Sequence, residues 1–389
     1  MIQKNILILG GTRFIGYLML SELIKEGHNI TIFNRQLRIP PGPLPKATRL
    51  IRGDRNCPQD LKYLFNQTYD AIIDISGYTP SHVEPIIRKY SSRIGQYIFI
   101  STTSVYKTPP PNPMTEESPR IFLNNTYGGD KALTEDLLLN CKKVFPVTIF
   151  RPQGVIGPYD PRIVGLVFYR IINRLPILIG KNTNVQSNHL FVFDLIRAVS
   201  LSIGNSKAFG KIYNIAGDDK VTLIEFIDLC GKICLISPTT KNKEEILKHK
   251  DIDFASQRRH FDFFDAWPEF DTVCSNSLVK KELKIKFTSL RESLLKTYSW
   301  LIEDMKRLNN FSLRGERYIL YNLSVPFYKK CVWKIIDFFK TPINKLKQSL
   351  IRIKFIRNTY HHFKNLYLNL KGCNLQGFKI LLLKEQNIY

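Results

Sequence analysis

Asn5-Ile6-Leu7-Ile8-Leu9-Gly10-Gly11-Thr12-Arg13-Phe14-Ile15-Gly16 is the stretch that decides the fold. Five residues, four of them apolar, run without alternation into two glycines, as a strand buried on both faces does. From Phe14 to Glu26 the apolar residues Ile15, Leu18, Met19, Leu23 and Ile24 recur at helical spacing, and Gly27-His28 stops them. A strand, a glycine-rich turn and a helix in that order make an anion site. The turn's N–H groups and the positive helix end converge on a phosphate, and the missing side chains let it approach the backbone. Gly10, Gly11, Thr12, Arg13, Phe14, Ile15 and Gly16 are therefore expected to hold the pyrophosphate of NAD or NADP. Arg13 stands at the place in the spacing where a middle glycine is usual. Glycine spacings alone are weak signals, but the strand before and the helix after give this one its context.

Outward from the turn the alternation continues. Strands are expected at Asn29–Phe33, Thr48–Ile51, Ala71–Ile75, Gln96–Ser101 and Val147–Phe150, with a helix at His82–Tyr90 and a proline-rich loop over 36–48. Strands alternating with helices imply right-handed βαβ units and a parallel sheet. The expected fold is α/β, a Rossmann-like doubly wound parallel sheet with a smaller C-terminal substrate lobe and a basic helical tail. The domain boundaries expected are 1–155 for the dinucleotide-binding domain, with 190–220 contributing, 156–305 for the substrate lobe and 306–389 for the tail. Ser289 and Glu292 have capping-box spacing at the start of a helix expected over Leu290–Arg307.

The end of the second strand bears on the cofactor. NAD-selective sites place an acid there to bond the ribose 2′-OH, whereas an arginine accommodates a 2′-phosphate. Here the chain reads Phe33-Asn34-Arg35, so Asn34 and Arg35 are expected at the cofactor and NADP is favoured over NAD. Asp54 is a candidate acceptor for the adenine amino group, though a plain turn aspartate reads the same way.

Tyr127-Gly128-Gly129-Asp130-Lys131 sets a phenol and an ammonium four residues apart, on one side of a helix. A phenol titrates near pH 10 when unperturbed, and a neighbouring positive charge favours its phenolate, bringing it into range for proton transfer. Upstream, Tyr97–Ile100 runs into Ser101-Thr102-Thr103-Ser104, hydroxyls at the strand end where parallel sheets bind ligands. Loop residues Arg162, Asn188, Arg258 and Arg259 could meet a diphosphate, but each reads more simply as surface.

The Gly10–Gly16 turn, Ser101-Thr102…Val105-Tyr106, Tyr127…Lys131, Arg151-Pro152…Gly157-Pro158 and Tyr213–Gly217 together resemble the extended short-chain dehydrogenase/reductases, specifically the NAD-dependent epimerase/dehydratase family, over residues 3–305. Gly-Gly-Thr-Arg-Phe-Ile-Gly, Asn34-Arg35 and Asp74-Ile75-Ser76-Gly77-Tyr78 are similar to a subgroup that includes bacterial epimerases or reductases and plastid relatives that bind RNA. The resemblance implies that Thr102 is the catalytic hydroxyl, with Ser101, Thr103 and Ser104 as alternatives. It implies that Tyr127 is the acid/base and that Lys131 holds the nicotinamide ribose. It places Ser76, Gly77 and Pro152 among the cofactor contacts. It also implies a nucleotide-sugar-like substrate, and it leaves a homodimer open. Thr103-Ser104 stand where a dehydratase carries an Asp-Glu pair, which favours an epimerase or reductase over a dehydratase. The alternative function is an RNA-binding protein that retains the fold.

Charge is unevenly spread. The chain of 389 residues has a formal charge of +24, and from Met305 onward it holds 17 Lys and Arg against 3 Asp and Glu. Trp333, Ile336 and Phe339 interleaved with Lys334 and Lys340 suggest a basic amphipathic helix, suited to packing on its own enzyme, to peripheral contact with an anionic membrane, or to RNA. His361-His362 lies within this stretch and reads as surface. Seven scattered cysteines, no C-x-x-C and no complete zinc set suggest reduced thiols, with no metal. Met1-Ile2-Gln3-Lys4 leads directly into a strand without signal-peptide character, and no apolar run approaches the ~20 residues needed to cross a bilayer. A cytoplasmic protein, peripheral to the inner face of the membrane if the tail binds lipid, is expected.

Overall fold

Seven parallel strands form the centre of the protein in a computed structural model that describes residues 2–37, 40–160, 163–175, 177–179, 183–242, 270–304 and 307. These residues belong to one of two units of the chain, Met1–Arg317; the other, Tyr318–Tyr389, lies outside the described residues. The basic tail, with Trp333, Lys334, Ile336, Phe339, Lys340 and His361-His362, and the loop residues Arg162, Arg258 and Arg259 lie outside the described residues.

The strands are β1 (Asn5–Leu9), β2 (Asn29–Asn34), β3 (Thr48–Arg52), β4 (Ala71–Asp74), β5 (Tyr97–Ile100), β6 (Val147–Pro152) and β7 (Lys211–Ile215). Their order across the sheet is β7-β6-β5-β4-β1-β2-β3, every neighbour pairing parallel. The order reverses direction at β1 and β4, so a crevice forms at their C-terminal ends. The nearly all-apolar runs follow from cover on both faces. On one face Ile6, Ile8, Ile30, Ile32, Ile73, Ile98 and Ile100 pack with helix α1 (Phe14–Lys25) and with Leu195, Ile196 and Val199 of a later helix. On the other, Leu7, Leu9, Ile72, Tyr97, Phe99 and Ile149 pack with α2 (Pro58–Leu64), α3 (Pro80–Tyr90) and α4 (Tyr127–Asn140).

Beyond the sheet come α5 (Ile163–Ile172), α6 (Val192–Ser202), α7 (Leu223–Cys234), α8 (Ser277–Leu283) and α9 (Leu290–Glu303). Helices α5, α7 and α9 share a third core around Val167, Phe168, Phe226, Ile227 and Leu294. Strand positions match the sequence reading to within two residues, with three differences. Helix α2 is seven residues long and was not foreseen. Helix α9 ends at Glu303 rather than Arg307, with an extended residue, Asp304, as its C-cap. At its start only half of the expected capping box forms: Ser289 Oγ accepts from Glu292 N at 3.2 Å, while the Glu292 carboxylate pairs with Lys296 at 2.8 Å. The complete capping box lies at Thr222 and Glu225, where α7 begins.

Cys230 and Cys234 lie one turn apart on α7, and with Cys57, Cys141 and Cys274 they are free thiols. Among the described residues, no cluster of His, Cys, Asp and Glu could hold a metal ion, and no helix is long and apolar enough to cross a membrane.

Candidate active site

The glycine turn leaves β1 through Gly10 with φ +109°, a conformation closed to most side chains. A Cβ at Gly16 would stand 2.4 Å from Gly11 Cα, so only glycine lets α1 begin against the turn. Arg13 differs. Its φ of −141° and ψ of 150° are ordinary extended values, so the turn accepts a side chain where glycine is usual, and this side chain is exposed. The N-cap residue Arg13 makes no side-chain hydrogen bond to α1, and uncapped N–H groups at a helix start favour an anion. Asn34 clamps the turn from β2, donating Nδ2–H to Gly10 O at 3.0 Å and reaching Thr12 Oγ1 at 3.5 Å. Arg35 is 63% exposed and stands 4.0 Å from Asp54 Oδ2. The other carboxylate oxygen of Asp54 accepts from Asn56 N at 2.9 Å.

The loop after β4 connects this turn to α4. Ser76 donates to Leu9 O at 3.1 Å, and a Cβ on Gly10 would meet the Ser76 side chain at 3.3 Å. Two residues on, the Tyr78 ring lies 6.0 Å from the Tyr127 ring and 5.1 Å from Lys131 Nζ. Thr126 caps α4, its Oγ1 accepting from Gly129 N at 3.2 Å and donating to Leu123 O at 2.6 Å. Gly128 lets the helix dock: a Cβ there would fall 1.9 Å from Ser104 O. The helix start thus lies directly against the hydroxyl-rich segment.

Tyr127 is 54% exposed at the first position of α4, whereas Lys131, one turn later, is 1% exposed. The Lys131 ammonium donates to Ile100 O at 2.7 Å and lies 4.4 Å from the centre of the Phe99 ring. Burial lowers its pKa to about 8, against the pull of the Asp74 charge in the other direction. The four hydroxyls have different surroundings. Thr102 caps the short 3₁₀ turn Thr103–Val105, accepting from Ser104 N at 3.1 Å and donating to Ser104 Oγ at 3.2 Å. Thr103 donates to Gln153, and Ser104 is exposed. Ser101 Oγ is buried with no hydrogen-bond partner among the described residues. Pro152 is buried at the end of β6.

Two ion pairs, to which the sequence reading gave no role, hold these parts together. Arg55 forms a two-pronged ion pair with Asp74, at 2.8 and 2.9 Å. Arg151 binds Glu135 of α4 through Nη2 at 2.6 Å and Nε at 3.0 Å, and it donates to Tyr106 Oη at 2.9 Å. Tyr106 in turn donates to Asn214 of β7 at 2.5 Å. The available signal was a charge interrupting or closing an apolar strand, as Asp74 and Arg151 do; their partners are distant in sequence. Asn188 corrects a reading in the other direction. It is buried, donates to Gly217 O and Cys274 O at 2.9 Å each, and accepts from Cys274 N at 2.8 Å. It is therefore neither a surface residue nor open to a diphosphate.

A dinucleotide turn at the switch point, with a Tyr-x-x-x-Lys helix docked beside a hydroxyl strand end, defines a class. The profile of the NAD dependent epimerase/dehydratase family matches residues 6–216, and the chain belongs to that family. The chain is 33% identical over 251 residues to the chloroplast stem-loop binding protein of 41 kDa b of Arabidopsis thaliana. That match covers 59% of this chain and 63% of the relative. It is 25% identical over 262 residues to UDP-glucose 4-epimerase of Neisseria meningitidis serogroup A, covering 57% of this chain and 77% of that one. Among solved structures, an epimerase from Methanothermobacter thermautotrophicus superposes with a TM-score of 0.65 at 17% identity, covering 79% of this chain and 94% of that one. The NAD complex of dTDP-glucose 4,6-dehydratase from Bacillus anthracis superposes with a TM-score of 0.63 at 17% identity, covering 78% and 98%. These two likenesses concern the fold.

Proposed function

We propose that the chain is an NAD(P)-dependent epimerase or reductase acting on a nucleotide sugar or a similar hydroxylated substrate. The observation that carries this reading is the Ser76–Tyr78 loop, which touches the glycine turn at one end and Tyr127 and Lys131 at the other. Within this reading, that one connection links the phosphate-binding end of the site to its proton-transferring end. When bound, the nicotinamide supplies hydride acceptance and donation. Tyr127, half-exposed at the start of α4, moves the proton of the substrate hydroxyl. Lys131, whose ammonium is buried against Ile100 O and the Tyr78 ring, reaches the nicotinamide ribose once that ring gives way, and its charge favours the Tyr127 phenolate. Thr102 orients the substrate oxygen. Gly10 to Gly16, with Asn34, Asp54, Ser76, Gly77 and Pro152, hold the cofactor. Epimerisation or reduction is favoured over dehydration because Thr103 and Ser104 supply no carboxylate beside Thr102. The division of labour is a cofactor domain over 1–155 with 190–220, and a substrate lobe over 156–305.

NADP is the favoured cofactor within this reading. Arg35 is largely exposed, and among the described residues its ion-pair partner is Asp54 at 4.0 Å, so a 2′-phosphate can recruit it. Native mass spectrometry of the purified protein, followed by a panel of nucleotide sugars assayed with NAD and NADP, tests the proposal. A bound dinucleotide with conversion of at least one sugar is the expected result; a protein that binds neither cofactor contradicts it.

The 33% identity to a stem-loop binding protein favours one second reading, an RNA-binding protein that keeps the fold. Gel-shift titration with a stem-loop RNA separates the two. Tight RNA binding without nucleotide-sugar turnover supports the second, whereas turnover that RNA leaves unaltered supports the first.

A further inference from the structure

The ion pair of Arg55 and Asp74 links the segment after β3, the end of β4 and, through Tyr97, the start of β5. Arg55 lies three residues beyond β3 and is nearly buried, and Asp74, the last residue of β4, is fully buried. Besides Asp74, the guanidinium donates to Ser76 Oγ at 2.8 Å and to His82 O at 3.4 Å. Asp74 Oδ1 also accepts from Ser76 N at 3.1 Å and Gly77 N at 2.8 Å, and Oδ2 accepts from Tyr97 Oη of β5 at 2.7 Å. Ser76 Oγ passes the chain on to Leu9 O, immediately before the glycine turn. A Cβ on Gly77 would lie 2.5 Å from Asp74 Oδ2 and 3.1 Å from Arg55 Nη1, so the loop after β4 is wrapped onto the pair.

This cluster shares one face of the sheet with Lys131. Tyr97 and Phe99 alternate onto that face, and the Phe99 ring lies beneath the Lys131 ammonium. The charges facing Lys131 are Asp74 from β4, Arg55 from the segment after β3, and Glu135 from its own helix. Tyr127 stands one turn before it and the Tyr78 ring lies against it. Glu135 is already engaged by Arg151 and Arg120. Asp74 favours the ammonium form and Arg55 opposes it, while burial acts against the charge.

We propose that Arg55 and Asp74 are positioning residues of the dinucleotide site, holding the 75–78 loop between the glycine turn and α4 on the face of the sheet that carries Lys131. The proposal rests on the reading that Lys131 presents an ammonium to the bound dinucleotide. It assigns a function to a pair that packing alone does not require, since a buried ion pair is often replaceable by apolar groups of similar size.

The test is the affinity for NADH and NADPH, followed by nicotinamide fluorescence as a function of pH. It is made on the wild type, D74N, R55M and the double variant D74N/R55M, with folding checked by circular dichroism. For the wild type, affinity falls as Lys131 loses its proton on the alkaline side. In D74N the midpoint moves to lower pH by about one unit, and in R55M it moves to higher pH, because one favourable and one unfavourable charge have been removed. A merely structural role gives no displacement, or displacements of the same sign, and either result overturns the proposal. Should the single variants fail to fold, the double variant, in which neither member of the pair is left without the other, decides. A loss of affinity at neutral pH on the order of ten-fold, comparable to one lost charge-assisted contact, supports the positioning role, and wild-type affinity overturns it. A wild type that binds neither dinucleotide overturns the functional reading itself, a result distinct from binding that is insensitive to the pair.

Discussion

Arg13 and Arg35 show how one side chain can be legible in type and yet not in task. Position 13 reads as a departure from a glycine pattern, and the structure explains why the departure is tolerated: the backbone there is extended and the side chain is in solvent. Asn34, expected at the cofactor, donates its amide to Gly10 O and so shapes the turn itself. Arg35 remains the residue with a free choice of partner, since its approach to Asp54 is long and exposed. Replacing Arg35 with Ala is expected to weaken NADP by about ten-fold or more, the worth of one charge-assisted hydrogen bond, and to leave NAD within about two-fold. Isothermal titration with both cofactors checks this. Equal losses for the two would remove the 2′-phosphate from the account.

At the level of elements, α4 carries the main burden. Its sequence predicts a helix despite Gly128 and Gly129, and the docking against Ser104 O gives the reason for the first of them. Gly128→Ala is expected to push the helix start away from the 102–104 segment. Misplacement by about 1 Å can cost on the order of 10²-fold in rate, so turnover should collapse while dinucleotide binding at the glycine turn largely survives. Steady-state kinetics beside a binding titration distinguish these effects. Lower on the same helix, Glu135 is fully buried between Arg151 and Arg120. Glu135→Gln leaves two guanidinium groups without their shared carboxylate and should lower stability by about 3–5 kcal/mol, measured by urea denaturation. None of this network was readable from the chain. Arg151 and Glu135 are 16 positions apart and Tyr106 and Asn214 are 108 apart, so their pairing is a consequence of the sheet order. Strands β1, β4 and β5 were readable because burial on both faces writes a nearly unbroken apolar run, whereas β3 at the sheet edge is mostly exposed. Helix α2 was missed because seven residues carry too little periodicity to register.

For the whole molecule, the parallel sheet followed from the alternation of strands and helices, while its strand order, and with it the switch point between β1 and β4, came from the structure. One global property can be forecast from a buried histidine. Burial lowers the His189 pKa to about 4 from 6.5, with a hydrogen bond to Gly154 acting the other way. Between those values the unfolded chain binds a proton that the folded one refuses, so stability rises with pH across that window and is lost on acidification. The span corresponds to about 3 kcal/mol. His189→Asn should flatten the acid limb of a plot of melting temperature against pH, and an unchanged limb would show that another group is responsible. The central claim is that the glycine turn and Tyr127 serve one dinucleotide-dependent reaction. It is tested most directly by comparing wild type and Tyr127→Phe in dinucleotide affinity and in nucleotide-sugar turnover. The account predicts affinity within about two-fold and turnover reduced by about 10²–10⁴-fold, the usual worth of a general acid/base. Turnover by the phenylalanine variant at the wild-type rate would contradict it.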